Sequence, residues 1–198
     1  MIIICHRVNA LHKLIKTNEE YGIEVDLRSL GNRIIIHHDP FSKGIFFNDW
    51  IKKFKHKYLI LNVKEEGLEM KILNILKKNK KKNFFFLDQS FPFLIKLSKK
   101  LKKKSAVRVS EFESFKTILS VKNKVNWVWV DFFSKYPLSS SEFKKLKNLK
   151  LKLCYVSPEL QGYSKNITEK FIKYIKKKKL IPDAVCTKYP MIWKKLNV

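Results

Sequence analysis

Short runs of β-branched and aromatic residues recur along the chain, each followed by a segment in which apolar positions return every three or four residues. That alternation of periods predicts βα units around a parallel sheet. Eight runs read as strands: 2–5, 23–26, 58–63, 84–88, 106–109, 127–131, 151–156 and 184–187. A ninth, 33–38, follows Leu30-Gly31-Asn32 and reads as the return strand of a small hairpin after the second strand. Eight units make a compact (β/α)8 TIM barrel. Such barrels commonly take about 250 residues, so this 198-residue chain needs short loops and a shallow pocket.

The intervening segments carry helical stripes: Leu11, Leu14 and Ile15; Leu68, Ile72 and Ile75; Leu94, Leu97 and Leu101; Ile167, Phe171 and Ile175. Their starts are marked by a capping residue three positions before a carboxylate, at Ser110 and Glu113, Ser139 and Glu142, and Asn166 and Glu169, while Pro92 suits a first helical turn. These pairings give the three glutamates structural roles. No stretch rich in Ser, Gly or Pro separates two halves, and no repeat is visible, so residues 1–198 are read as one TIM-barrel domain.

The apolar start is too short for a signal peptide, and no run approaches the length of a membrane helix. A cytoplasmic protein is expected. Cys5, Cys154 and Cys186 are odd in number, lie in apolar runs and lack CxxC spacing, which fits buried, reduced thiols without metal.

A formal charge of +26 raises an anionic membrane or nucleic acid as a partner. Drift toward A/T-rich codons would produce the same excess of Lys, Ile, Asn and Phe without a binding role. The densest lysine runs, 52–57, 77–82, 99–104, 144–150 and 176–179, fall at predicted helix ends, where they complement the helix dipole. There is no recognition motif for nucleic acid and few arginines to read bases.

Candidate chemistry collects where strands end, the face on which barrel enzymes place their active sites. The first strand ends in His6-Arg7, the second in Glu24-x-Asp26, the hairpin return in His38-Asp39 and the third in Asn62-x-Lys64. Asp88, Arg108, Asp131, Ser157-Pro158-Glu159 and Thr187-Lys188 follow at later strand ends. Glu24 and Asp26, two apart on a strand, face the same side and could share one cation; ligation by oxygen alone points to Mg2+ or Ca2+. A surface pair satisfied by Arg28 or Arg33 would look the same. His6 and His38 flank this pair, so one neutral imidazole could take a proton while a protonated one donates. Each could also be an ordinary half-buried histidine. His12, His37 and His56 receive no role.

His6-Arg7, then Glu24-x-Asp26-x-Arg28, then His38-Asp39-Pro40 resembles the signature of the glycerophosphodiester phosphodiesterases, a family of phosphatidylinositol-phospholipase-C-like TIM-barrel enzymes. Leu61-Asn62-Val63-Lys64 is similar to its third-strand element, and Pro182 to Thr187 to its closing strand. The resemblance implies metal-dependent hydrolysis of a glycerophosphodiester-like substrate. In that reading His6 and His38 are the acid/base pair, Glu24, Asp26 and Asn62 hold the metal, and Arg7 and Lys64 neutralise phosphate. Val8, Asn62 and Lys188 depart from the family pattern, and a Glu-Asn-Thr box is missing. Asn62 offers a neutral oxygen where a third glutamate would stand, which weakens cation binding unless Asp88 or Asp131 supplies charge. Asp39 and Glu159 complete the additional candidates of what looks like a divergent branch. A catalytically weakened barrel that binds nucleic acid or anionic lipid through its basic surface is the alternative. A ring-forming attack that leaves a cyclic phosphate is a second enzymatic one.

Overall fold

The computed structural model describes residues 1–195. In chain order the strands are β1 (Ile2–Cys5), β2 (Gly22–Leu30), β3 (Arg33–Ile36), β4 (Ile45–Phe46), β5 (Tyr58–Val63), β6 (Phe84–Leu87), β7 (Ala106–Val109), β8 (Trp127–Val130), β9 (Lys152–Val156) and β10 (Ala184–Thr187). The helices are α1 (Leu11–Lys16), α2 (Phe47–Lys53), α3 (Glu69–Lys78), α4 (Phe91–Leu97), α5 (Phe115–Val121), α6 (Ser140–Asn148), α7 (Lys165–Lys177) and α8 (Pro190–Lys194), with a 3-10 turn at Pro158–Gln161. None is long and apolar enough to cross a membrane. The chain packs as two compact units, residues 6–105 and residues 1–5 with 106–195.

In the first of these, β2, β5 and β6 run parallel, and β3 and β4 extend the sheet antiparallel beyond β2. The register sets Asp26 opposite Asn62 and Leu27 opposite Val63. Parallel strands covered on both faces read as nearly continuous apolar runs, as in Phe84-Phe85-Phe86-Leu87, all buried. Against such a run a buried carboxylate stands out, and alternation sends Glu24 and Asp26 to the same side of β2. The other unit is an all-parallel sheet in the order β1, β10, β9, β8, β7. Its core includes Trp129, Cys154, Tyr155, Cys186 and Trp193.

All eight expected strands and the hairpin return are present, with strand ends moved by a residue or two except in β2, which runs four residues past Asp26 to Leu30. β6 and β8 stop before Asp88 and Asp131, and Asp88 adopts a left-handed backbone, φ 56°. The two-residue β4 was not expected, since nothing that short has a readable period. Ser139 and Glu142 form the capping box expected of them. Two other expected starts shift: Ser114 and Ser164, not Ser110 and Asn166, cap α5 and α7. Ser110 donates instead to the Glu113 carboxylate at 2.7 Å. Ile15 is exposed although Leu14 beside it is buried, because α1 is only six residues long and buries a single side chain. Cys5 is half-buried, unlike Cys154 and Cys186; burial still pushes its thiol up to about 11, which keeps it protonated at neutral pH.

The lysine runs do end helices, and in a specific way. After α3, Lys80 N–H donates to Lys77 O and Lys81 N–H to Leu76 O. The same pair of bonds closes α6 through Lys150 and Leu151, and α7 through Lys179 and Leu180. This is the Schellman arrangement, whose pivot is left-handed and usually glycine. Here lysines occupy the pivots at φ 55°, 59° and 56° in a chain with five glycines.

Candidate functional site

The site grows from β2 of the 6–105 unit. Glu24 and Asp26 are 2 % and 1 % exposed, so each needs partners for its oxygens. Glu24 Oε2 accepts from the Arg7 backbone N–H at 2.7 Å, and Glu24 Oε1 from Asn62 Nδ2 at 3.0 Å. Arg7 presents that N–H because its own backbone is left-handed, φ 52°, a strained state for a residue with a side chain. His6 Nε2 lies 3.7 Å from Glu24 Oε2. Burial, then the neighbouring Asp26 charge, push the Glu24 carboxyl up to about 7, against the opposing pull of Asn62, Arg7 and Lys64.

Asp26 is clamped by Asn9, which donates Nδ2 to Asp26 Oδ2 at 2.9 Å and accepts the Asp26 backbone N–H at 3.1 Å. Arg7 Nε stands 3.6 Å from Asp26 Oδ2 and Lys64 Nζ 3.4 Å from Asp26 Oδ1. Lys64 Nζ also reaches Asp88 at 3.8 Å. Two carboxylates are thus faced by two cations and an imidazole.

His38 is carried by the loop between β3 and β4. The His37 N–H donates to Asp26 O at 3.1 Å, and Arg28 Nε donates to His38 O at 2.9 Å. His38 Nδ1 sits 2.7 Å from Asp39 Oδ1, and that hydrogen bond holds the Asp39 carboxyl below its usual value, helped by the charges of the histidines and Arg7. Asp39 therefore stays ionised and orients the ring, turning Nε2 away from itself.

His6, Arg7, Glu24, Asp26, His38, Asp39, Asn62, Lys64 and Asp88 thus all belong to one unit, tied by the contacts above. Asp131 and Glu159 belong to the other, where both are engaged. Asp131 accepts from Arg108 at 2.5 Å and Gln161 at 2.7 Å. Glu159 accepts from the Ser157, Thr168 and Thr187 hydroxyls and the Lys188 N–H, so its carboxylate knits β10, α7 and the 3-10 turn together. Asn9 was missed in the sequence because a lone asparagine in a strand-to-helix loop carries no spacing signal. Glu69, fully buried at the start of α3 and paired with Gln89 at 3.1 Å, was missed because it reads as an ordinary first-turn acid.

Whether the cluster suits a divalent cation turns on its remaining oxygens. Asp26 Oδ1 and Asn62 Oδ1 are buried without hydrogen-bond partners. With Glu24 they are hard oxygens, the donor type that Mg2+ or Ca2+ takes, while both Glu24 oxygens already accept hydrogen bonds and Lys64 competes for Asp26. Among the described residues no three His, Cys, Asp or Glu side chains gather as a metal-binding group, so the neutral Asn62 oxygen would have to serve as the third donor.

No protein-family model and no curated protein matches the chain. Solved structures do. A protein of Agrobacterium tumefaciens assigned as a glycerophosphoryl diester phosphodiesterase aligns with 98 % of this chain and 96 % of its own, at a TM-score of 0.69 and 12 % identity. A glycerophosphoryl diester phosphodiesterase of Parabacteroides distasonis aligns over 98 % and 85 %, at 0.66 and 11 %. A mutant tryptophan synthase alpha-subunit from Pyrococcus furiosus aligns over 97 % and 88 %, at 0.59 and 12 %. At such identities likeness establishes architecture, not chemistry. The chain has the mixed α/β TIM-barrel fold class of the glycerophosphoryl diester phosphodiesterases.

Proposed function

We propose that this protein is a phosphoric diester hydrolase acting on a glycerophosphodiester-like substrate by histidine acid–base catalysis, with Mg2+ or Ca2+ as cofactor. The observation that carries the reading is the buried Glu24–Asp26–Asn62 oxygen cluster, bordered by Arg7 and Lys64 and by His6. Arg7 and Lys64 would neutralise the phosphate, exchanging part of their attraction to Asp26 for the incoming anion. His38, its Nδ1 proton directed at Asp39, presents a basic Nε2 that takes the proton of an attacking hydroxyl. His6, 3.7 Å from Glu24, would act as the acid and return a proton to the leaving alkoxide. A cation held by Glu24, Asp26 and Asn62 would polarise a phosphoryl oxygen. Attack by a substrate hydroxyl releases the alcohol and leaves a cyclic phosphate; attack by water gives a monoester directly.

A second reading has its own support. Arg7 and Lys64 already offset the Asp26 charge, and Asn62 adds none. A barrel weakened in cation binding, retained for an anionic partner, would show salt-sensitive affinity without turnover. The discriminating experiment measures hydrolysis of generic and glycerol-based diesters with Mg2+, Ca2+ or chelator. His6→Ala and His38→Ala should each lower turnover about 100-fold or more. No turnover that depends on cation and histidine on any diester rejects the enzymatic reading.

A further inference from the structure

Among the described residues four phenylalanines are exposed, Phe41, Phe91, Phe112 and Phe133, and each lies just after a strand: β3, β6, β7 and β8. Phe41 is the extreme case. Its side chain is 107 % exposed and its backbone is left-handed, φ 55°, a conformation unfavourable for a bulky residue. Folding gains nothing from the ring in that position.

The loop that carries it is nevertheless held in place. Ile36 pairs with Ile45 at its base, and Gly44 packs so tightly there that an added Cβ would stand 2.3 Å from Ile36 O. Inside the loop Ser42 donates to Pro40 O at 3.2 Å and Asp39 N–H to His37 Nδ1 at 3.0 Å. Arg28 and Asp26 tether the His37–His38 end. An ordered projection thus holds a bare aromatic ring out in solvent, three residues from His38, with exposed Lys43 beside it. In the same unit Phe91, 46 % exposed, opens α4 three residues after Asp88.

An apolar ring two residues from an exposed lysine, on a protein of net charge +26, matches the chemistry of an anionic lipid interface, where the ring enters the headgroup boundary and lysine meets lipid charge. The geometry points to loop 37–44 as a lipid-docking element: Phe41 inserts into an anionic bilayer, Lys43 contacts its headgroups, and His38 is brought to a phosphodiester borne on a lipid. The docking stands on the loop alone; the substrate class, a lipid glycerophosphodiester, rests on the phosphodiesterase reading.

The test is co-sedimentation with vesicles of phosphatidylglycerol and phosphatidylcholine against vesicles of phosphatidylcholine alone, at physiological salt. The full chain should bind the anionic vesicles and leave the neutral ones. Phe41→Ala should weaken that binding about ten-fold while turnover of a soluble diester is unchanged. Phe41→Trp should keep the affinity and gain fluorescence quenched by brominated lipid, against four native tryptophans that are all buried. Unchanged binding by Phe41→Ala, equal binding to neutral vesicles, or no quenching in Phe41→Trp overturns the docking, even if soluble diesters are cleaved. Phe41-dependent binding without His38-dependent turnover upholds the docking and rejects the phosphodiesterase reading.

Discussion

Replacing Glu24 with glutamine probes the buried acidic pair through stability, independent of any substrate. Glu24 is raised from 4.5 to about 7 by burial and by Asp26. A carboxyl whose folded value lies above its unfolded one contributes stability that is fully present below about 4.5 and is lost as pH rises through 7. That interval corresponds to roughly 3 kcal/mol. Glutamine does not titrate, but it offers one oxygen where Glu24 serves two donors, the Arg7 N–H and Asn62 Nδ2. The mismatch costs about 1–3 kcal/mol. At pH 5, where wild-type Glu24 is largely neutral, Glu24→Gln should therefore be the less stable protein. At pH 8.5 the difference should vanish or reverse, since only the wild type bears the ionised carboxylate. Urea unfolding followed by tryptophan fluorescence, in chelator at both pH values, measures this directly. The two stability differences should diverge by about 3 kcal/mol; equal differences would refute the account of Glu24 as a carboxylate destabilised by dry burial beside Asp26. At pH 8.5, saturating Mg2+ or Ca2+ should stabilise the wild type by about 2.7 kcal/mol at a hundred times its dissociation constant, and Glu24→Gln far less.

Two further outcomes concern the framework. Lys150→Gly and Lys179→Gly should each stabilise by about 1 kcal/mol, because glycine adopts the left-handed pivot without steric cost; thermal unfolding should rise by roughly 2–4 °C, and a fall would mean the lysine stems contribute more than the strain costs. Glu159→Ala should destabilise by about 3–5 kcal/mol, since it strips three hydroxyls and the Lys188 N–H of their common acceptor. A loss under 1 kcal/mol in chemical denaturation would show that those groups find other partners.

The parts of this molecule legible in its sequence are those set by periodicity. Continuous runs such as Phe84–Leu87 mark strands buried on both faces, and the two-residue offset of Glu24 and Asp26 places them together on one side of β2. The resemblance in His6-Arg7, Glu24-x-Asp26 and His38-Asp39 selected residues that the fold gathers in one unit. What escaped reading depends on tertiary geometry. Asn9 clamps Asp26 from a loop, Ser164 outcompetes Asn166 as a cap through its position in space, and Glu159 satisfies neighbours up to 29 residues away. Lysine at helix pivots was invisible for another reason. Glycine is the usual signal of a left-handed stop, and α3, α6 and α7 end without it.

Gly44 gives the 37–44 loop an unusual mutational profile. Any side chain there meets the Ile36 carbonyl, and relief requires the base of the loop to open. The displacement would pass along a short backbone lever to His38, while the side chains proposed for proton transfer stay intact in sequence. On the phosphodiesterase reading, a missense change at Gly44 would thus act like loss of His38 from six residues away, and a screen that scores only polar positions would overlook it.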